Sequence, residues 1–325
     1  MLAFWIVLGC LAFAAVGALI YSYVFYRVTF LGGKPSDPYY GVGEGDTTYS
    51  PEFREQIRAL VDEAKAIPCE ICETVSFDGL KLSARYYHTR DGAPLALMCH
   101  GYRGVSYRDH AGGLLLALSE KQNVLLIDER AHGESEGKTI TFGVKERRDV
   151  LSWVNYALER FGPDQKIVLY GISMGAATVL MSVGLGLPGA VRGIVADCPY
   201  SSPAEIIDIV ERRMKIPRPL RLPFAELSAR LFGNFSLYAA SAAEAVSHNE
   251  RVPILLIHGE EDTLVPAALS KKIAESDPEH IRYLTFPGAE HGVSFLVDRP
   301  RYCKEVLAFS REVTEENEKT TESSE

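Results

Sequence analysis

Apolar residues follow three rhythms along this chain. The first is unbroken: from Leu2 to Tyr26 no side chain is charged and almost none is polar. Wound as a helix, such a stretch rises about 37 Å, enough to cross a hydrocarbon core of about 30 Å. Trp5 lies near one end, and Tyr21, Tyr23 and Tyr26 near the other, where interfacial aromatics belong. A cleaved leader has a basic start and an apolar stretch of about 7–15 residues. Here no Lys or Arg precedes a much longer run, so the pattern predicts an uncleaved transmembrane anchor over residues 1–27. The second rhythm is helical. Phe53, Ile57, Leu60, Val61 and Ala64 mark an amphipathic helix over Pro51–Ile67, and Val150, Leu151, Val154, Leu158 and Phe161 mark another over Lys145–Phe161.

The third rhythm is a series of short apolar runs of strand type: Leu95–Cys99, Val124–Asp128, Ile167–Tyr170, Gly193–Ala196, Ile254–His258 and Arg282–Phe286. Most are continuous, as expected of strands covered on both faces. Before them, Glu73–Phe77 and Leu80–His88 flank Asp78-Gly79, a hairpin signal. Strands alternating with helical segments predict an α/β domain with a mostly parallel sheet and helices on both faces. The stretch from Ala196 to Ile254 is too long for a simple crossover. Its segments Ser202–Lys215, Leu222–Phe232 and Leu237–Ser247 look helical, separated by Pro217, Pro219, Pro223 and Gly233-Asn234. They predict a helical cap, inserted at about residues 199–250, over the carboxyl ends of the strands, where open α/β sheets bind ligands. The expected organisation is an anchor at 1–27, a linker and amphipathic helix at 28–68, the α/β domain at 69–313 and a disordered acidic tail at 314–325.

Composition narrows the function classes. The 325-residue chain has a formal charge of −9, which leaves no basic excess for binding nucleic acid. Arg27 and Lys34 follow the apolar span and no basic side chain precedes it, so the positive-inside rule places the body in the cytosol. Six cysteines are scattered. Cys69 and Cys72 form a lone Cys-x-x-Cys that cannot complete four-coordinate zinc, and they read as thiols at the start of a strand. Cys99 and Cys198 end apolar runs and read as small buried hydrophobes.

The sharpest chemical signal is Gly171-Ile172-Ser173-Met174-Gly175, set between a strand-like and a helix-like run. A tight strand-to-helix turn with small residues on either side of a serine exposes the hydroxyl as a nucleophile. Such a serine needs a base and an acid that orients it. His291, in a glycine-containing loop after the last strand, is the expected base. Asp262, in the loop after the penultimate strand, is the expected orienting acid, with Glu260, Glu261 and Asp197 as rivals. The oxyanion donors are expected from the backbone N–H of Met174, next to the nucleophile, and of Tyr102, in the loop His100-Gly101-Tyr102-Arg103-Gly104. His100 could serve as a base on paper, but it precedes the turn and reads as a structural loop histidine. The Asp128–Ser135 loop lacks a ligand set for a metal and reads as a hydrogen-bonded knot.

These residues, with Ile140-Thr141-Phe142-Gly143, Asp262 and Glu290-His291-Gly292, resemble the α/β-hydrolase superfamily over Glu73 to Phe309. The nearest likeness is to membrane-anchored bacterial hydrolases grouped with serine aminopeptidase-like and monoglyceride-lipase-like enzymes. The resemblance implies a Ser173–Asp262–His291 triad in the superfamily's chain order, with Tyr102 and Met174 as oxyanion donors, and it implies no cofactor and no metal. The expected function is a membrane-tethered serine hydrolase that cleaves a small acyl substrate, an ester or thioester. The alternatives are an aminopeptidase-like peptidase and a non-catalytic scaffold on the same fold. In the cap, Ile206, Ile207, Ile209, Val210 and Met214 are expected to line an acyl pocket, and Arg212, Arg213, Lys215, Arg218 and Arg221 to form a basic face suited to anionic lipid headgroups. The fold hosts many chemistries, so substrate identity and oligomeric state stay open.

Overall fold

The computed structural model describes residues 1–33, 37–43 and 49–315. The acidic tail from Glu316 onward and parts of the linker lie outside the described residues. The chain opens with α1 (Leu2–Thr29), the long apolar helix, and continues through α2 (Pro51–Lys65) to the hairpin β1 (Glu70–Val75) and β2 (Lys81–Tyr87). Then follow β3 (Leu95–Cys99), α3 (Ser106–Ser119), β4 (Asn123–Ile127), α4 (Glu146–Phe161), β5 (Ile167–Ile172), α5 (Met174–Ser182) and β6 (Val191–Asp197). The next helices are α6 (Pro203–Arg213), α7 (Leu222–Ser228) and α8 (Ala242–Val246). The chain closes with β7 (Ile254–Gly259), α9 (Ala267–Ser276), β8 (Ile281–Phe286), α10 (Ser294–Val297) and α11 (Arg299–Thr314).

The eight strands form one sheet in the order β1-β2-β4-β3-β5-β6-β7-β8. Only the β1–β2 and β2–β4 pairs are antiparallel; β4 to β8 run parallel. The turn between β1 and β2 is the expected one, with Gly79 at φ +86°. Successive residues of each parallel strand enter opposite cores. Leu95, Leu97 and Cys99 face α4, α5, α8 and α9, while Ala96 and Met98 face α2, α3 and α11. Val124–Ile127, Ile167–Tyr170 and Ile254–Ile257 divide in the same way. A strand with a core on each side has no solvent face to carry polar residues, which is why these runs are continuous.

Helix ends follow local chemistry. Ser50 accepts from Phe53 N–H at 3.3 Å before Pro51, and Ser202 does the same for Glu205 before Pro203. Gly162, at φ +101°, stops α4. One expectation needs correction. Leu237–Ser247 is helical only at Ala242–Val246, because Glu226 accepts Leu237 N–H at 2.8 Å and Ser236 accepts Tyr238 N–H at 3.2 Å, holding that part in a turn.

None of the most apolar window of α1 is buried, and by length and composition this helix can cross a membrane. Its last turns behave differently. Ser22, Tyr26 and, just past the helix, Phe30 are buried against the cap and against Phe142 in the loop before α4.

Candidate active site

The carboxyl ends of β3, β5, β7 and β8 converge, and each delivers one part of the site. After β5, Ser173 occupies the turn into α5 at φ 54°, ψ −114°, a conformation non-glycine residues rarely adopt. Its N–H donates to Asp197 O at 2.8 Å and its carbonyl accepts Ala177 N–H at 3.0 Å, which hold the strained backbone in place. A Cβ on Gly171 would strike the Gly175 backbone, and one on Gly175 would strike the carbonyl of Cys99, so the turn tolerates neither.

Ser173 Oγ lies 2.9 Å from His291 Nε2, and His291 Nδ1 lies 2.7 Å from Asp262 Oδ2. Asp262 Oδ1 accepts the backbone N–H groups of Leu264 and Val265, both at 2.8 Å, and His258 Nε2 stands 3.2 Å from Oδ2. Burial alone would raise the Asp262 carboxyl; hydrogen bonds from His258 and His291 outweigh it and hold the group well below the usual carboxylate range. An ionised Asp262 can only accept, so Nδ1 carries the imidazole proton and Nε2 faces the serine hydroxyl with a lone pair.

The rivals are engaged elsewhere. Glu260 accepts from Thr285 Oγ1 at 2.6 Å, Glu261 points to solvent, and Asp197 is buried against Tyr302, with its carboxyl pushed up to about 6, chiefly by burial. His100 accepts Glu129 N–H at Nε2, 3.0 Å away, and faces Gly101 O through Nδ1 at 2.9 Å, so it is part of the framework.

The loop after β3 is tied down donor by donor. Gly101 N–H donates to Asp109 Oδ2 at 2.8 Å, Arg103 N–H to His132 Nε2 at 3.0 Å, and Gly104 N–H to Gly101 O at 2.9 Å. Tyr102 N–H, between them, has no acceptor among the described residues. Met174 is the first residue of α5, where an N–H has no partner within its helix. The His132 side chain must stay neutral to accept from Arg103, and burial, aided by nearby His100, lowers it to about 3. The Asp128–Ser135 loop is a knot of hydrogen bonds: Asp128 holds Arg85, Ser106 and Glu134 N–H, and Arg130 bridges Asp78 and Asp149.

A cleft of about 370 Å³ opens beside Ser173 and His291. Its apolar wall comes from α2 and α3 (Ile57, Leu60, Leu116) and from Phe295, Leu296 and Val306. This corrects the expectation for the cap. None of Ile206, Ile207, Ile209, Val210 and Met214 lines the cleft: the first two are buried in the core, the next two pack against it, and Met214 is exposed. The helical spacing of Ile57 and Leu60 revealed a buried face but not the cleft behind it. Arg108 links this wall to the β3 loop, pairing with Asp109 at 2.7 Å and donating to Tyr40 O at 2.8 Å.

Ligand atoms of Cys198, Asp262 and His291 lie within 4.8 Å of one another. Burial raises the Cys198 thiol, and the other two groups already bond each other, so the trio is a poor metal site. Cys69 and Cys72 are both free thiols; Cys72 is buried and accepts from Arg160 at 3.0 Å.

A family model described as alpha/beta hydrolase fold matches residues 94–219. The uncharacterized protein YqkD of Bacillus subtilis is 26% identical over 226 residues, spanning 69% of this chain and 73% of that protein. The lysophosphatidylserine lipase ABHD12 of Danio rerio is 28% identical over 190 residues, 55% of this chain and 46% of that one. Among solved structures, the Pyrococcus furiosus esterase Pf2001 superposes with a TM-score of 0.65 at 21% identity, covering 88% of this chain and 100% of its own.

Proposed function

The chain has the α/β-hydrolase fold, and on that premise we propose that it is a serine hydrolase that cleaves a carboxylic ester or thioester through an acyl-enzyme on Ser173. The observation that carries this reading is the continuous hydrogen-bonded line from Ser173 Oγ through His291 to Asp262, anchored on a strained serine at the mouth of the cleft. His291 Nε2 takes the serine proton as Oγ attacks the acyl carbon. The N–H groups of Tyr102 and Met174 receive the negative charge that develops on the acyl oxygen. The proton then passes from His291 to the leaving group, and water, activated by the same imidazole, releases the acid. Asp262 stabilises the imidazolium between these steps. The apolar wall of the cleft favours an acyl chain as the bound group, in keeping with the esterase and lipase names of the similar proteins.

The reading includes membrane tethering by a retained α1. Cleaving off this helix would remove Tyr26, which is buried with its ring beside Phe232, and the carbonyls of Thr29 and Val28 that receive Tyr102 Oη at 2.7 Å and Arg103 Nη2 at 2.6 Å. These contacts of its last turns support a retained helix. Arg27 and Lys34 favour a body on the cytosolic side.

The test is labelling of the full chain with a fluorophosphonate, paired with hydrolysis of p-nitrophenyl esters and acyl-CoAs. Ser173→Ala is expected to abolish labelling and to lower kcat by about four orders of magnitude or more. A folded wild-type protein that neither labels nor turns over would leave the non-catalytic scaffold as the better reading.

A further inference from the structure

The height at which the body meets α1 fixes where the cap stands relative to a bilayer. From Met1 to Gly17 every residue of α1 is exposed; from Tyr21 onward one face is covered, with Ser22, Tyr26 and Phe30 buried. Leu2 to Ile20 rises about 28 Å, close to the thickness of a hydrocarbon core at about 30 Å. The bilayer boundary therefore falls where the body begins. The part of the body at that level is the cap: Tyr21 Oη donates to Leu220 O at 3.3 Å, the Tyr21 and Phe224 rings stand 5.1 Å apart, and Ser228 Oγ donates to Ser22 O at 2.8 Å.

Next to this contact lies the run Arg212–Leu220, exposed throughout apart from half-buried Ile216. It carries Arg212, Arg213, Lys215 and Arg218 with no acid among them, in a protein whose net charge is −9. The neighbouring acids turn away from solvent: Glu211 is buried, and Asp208 pairs with Arg212 at 2.8 Å and Arg221 at 3.7 Å. Two large apolar side chains stand out between the cations, Met214 at 65% exposure and Leu220 at 38%. Cations that flank exposed apolar residues beside a membrane-crossing helix suit an anionic leaflet, which takes the charges at its headgroups and the apolar groups just beneath them. The same run touches the candidate site. Arg213 Nη1 donates to Leu264 O at 2.8 Å, and Leu264 lines the cleft two residues after Asp262.

We infer that the cap tip Arg212–Leu220 rests on an anionic phospholipid surface, with Met214 and Leu220 inserted among the headgroups, and so holds the mouth of the cleft against the leaflet. This rests on the reading of α1 as a membrane span. It predicts a lipid contact far along the chain from the span itself.

The test uses the full chain in nanodiscs containing phosphatidylglycerol and a phosphatidylcholine brominated on its acyl chains, which quenches nearby tryptophan. The native tryptophans are Trp5, on α1, and Trp153, which is fully buried and supplies a constant background. Comparing the wild type with Trp5→Phe reads the span, and adding Met214→Trp to Trp5→Phe reads the cap tip. The tip signal is expected to lose the larger part of its emission in brominated discs. It is expected to recover in discs without phosphatidylglycerol, and when Arg212, Arg213, Lys215 and Arg218 are changed to Glu in a protein whose melting temperature is unchanged. Quenched Trp5 with an unquenched tip puts the tip in water and overturns the inference alone. Tip quenching that survives charge reversal overturns the anionic surface. Unquenched Trp5 removes the span, and the inference falls with it.

Discussion

At the scale of single residues, the site depends on which titratable groups are allowed to be charged. Asp262 is buried yet well supplied with donors, so it stays ionised; Asp197, one strand away, is buried with one oxygen unpaired. The folded pKa of Asp197, about 6, lies above its value of about 3.9 in an unfolded chain. For an acid this sign means a penalty. Below about pH 4 the group is protonated in both states and costs nothing, and stability falls as pH rises toward 6, by up to about 3 kcal/mol. Asp197→Asn is therefore expected to stabilise the protein at pH 7 and to have little effect at pH 4. Denaturant midpoints of wild type and variant across that range check this; a gap that does not widen with pH would show that the carboxylate is not the source of the penalty.

At the scale of elements, α1 is two structures in one helix. Its first part is exposed, whereas its last turns belong to the core and lead through Phe30, Phe142 and the stacked Tyr102 ring, 4.9 Å from Phe142, to the β3 loop. Phe30→Ala removes a fully buried ring and should cost about 3–5 kcal/mol, while Phe13→Ala, at 83% exposure, should leave stability unchanged. Thermal melts of the full chain in one detergent compare them. Equal melting temperatures would mean that the end of α1 is not held by the body.

At the scale of the whole molecule, the cleft lies between elements that are distant in sequence: α2, α3 and the segment around α10 and α11 on one side, and Ser173 with His291 on the other. Each additional buried CH2 of an acyl chain contributes about 0.8 kcal/mol, so kcat/KM is expected to rise severalfold per carbon until the cleft is full. Leu60→Trp shortens the space and should move the preferred p-nitrophenyl ester to a shorter chain while hydrolysis of the acetate ester is retained. An unchanged chain-length profile would place the acyl group elsewhere.

The chain by itself determined whatever depends on neighbours in sequence. Continuous apolar runs marked β3 through β7 because a strand between two cores has nothing polar to show, and the spacing of glycines around Ser173 marked a turn where strand and helix backbones touch. Chain order and position after the last strands singled out His291 and Asp262. The tertiary structure decided whatever depends on which buried face meets which. The stripe containing Ile57 and Leu60 announced burial but not a cleft, the cap's isoleucines turned into the core instead of toward the substrate space, and nothing local in Ser22, Tyr26 or Phe30 revealed that α1 ends inside the body. Periodicity records that a face leaves water; the partner it meets is set by packing across the whole sheet, and a single stretch of sequence does not carry that information.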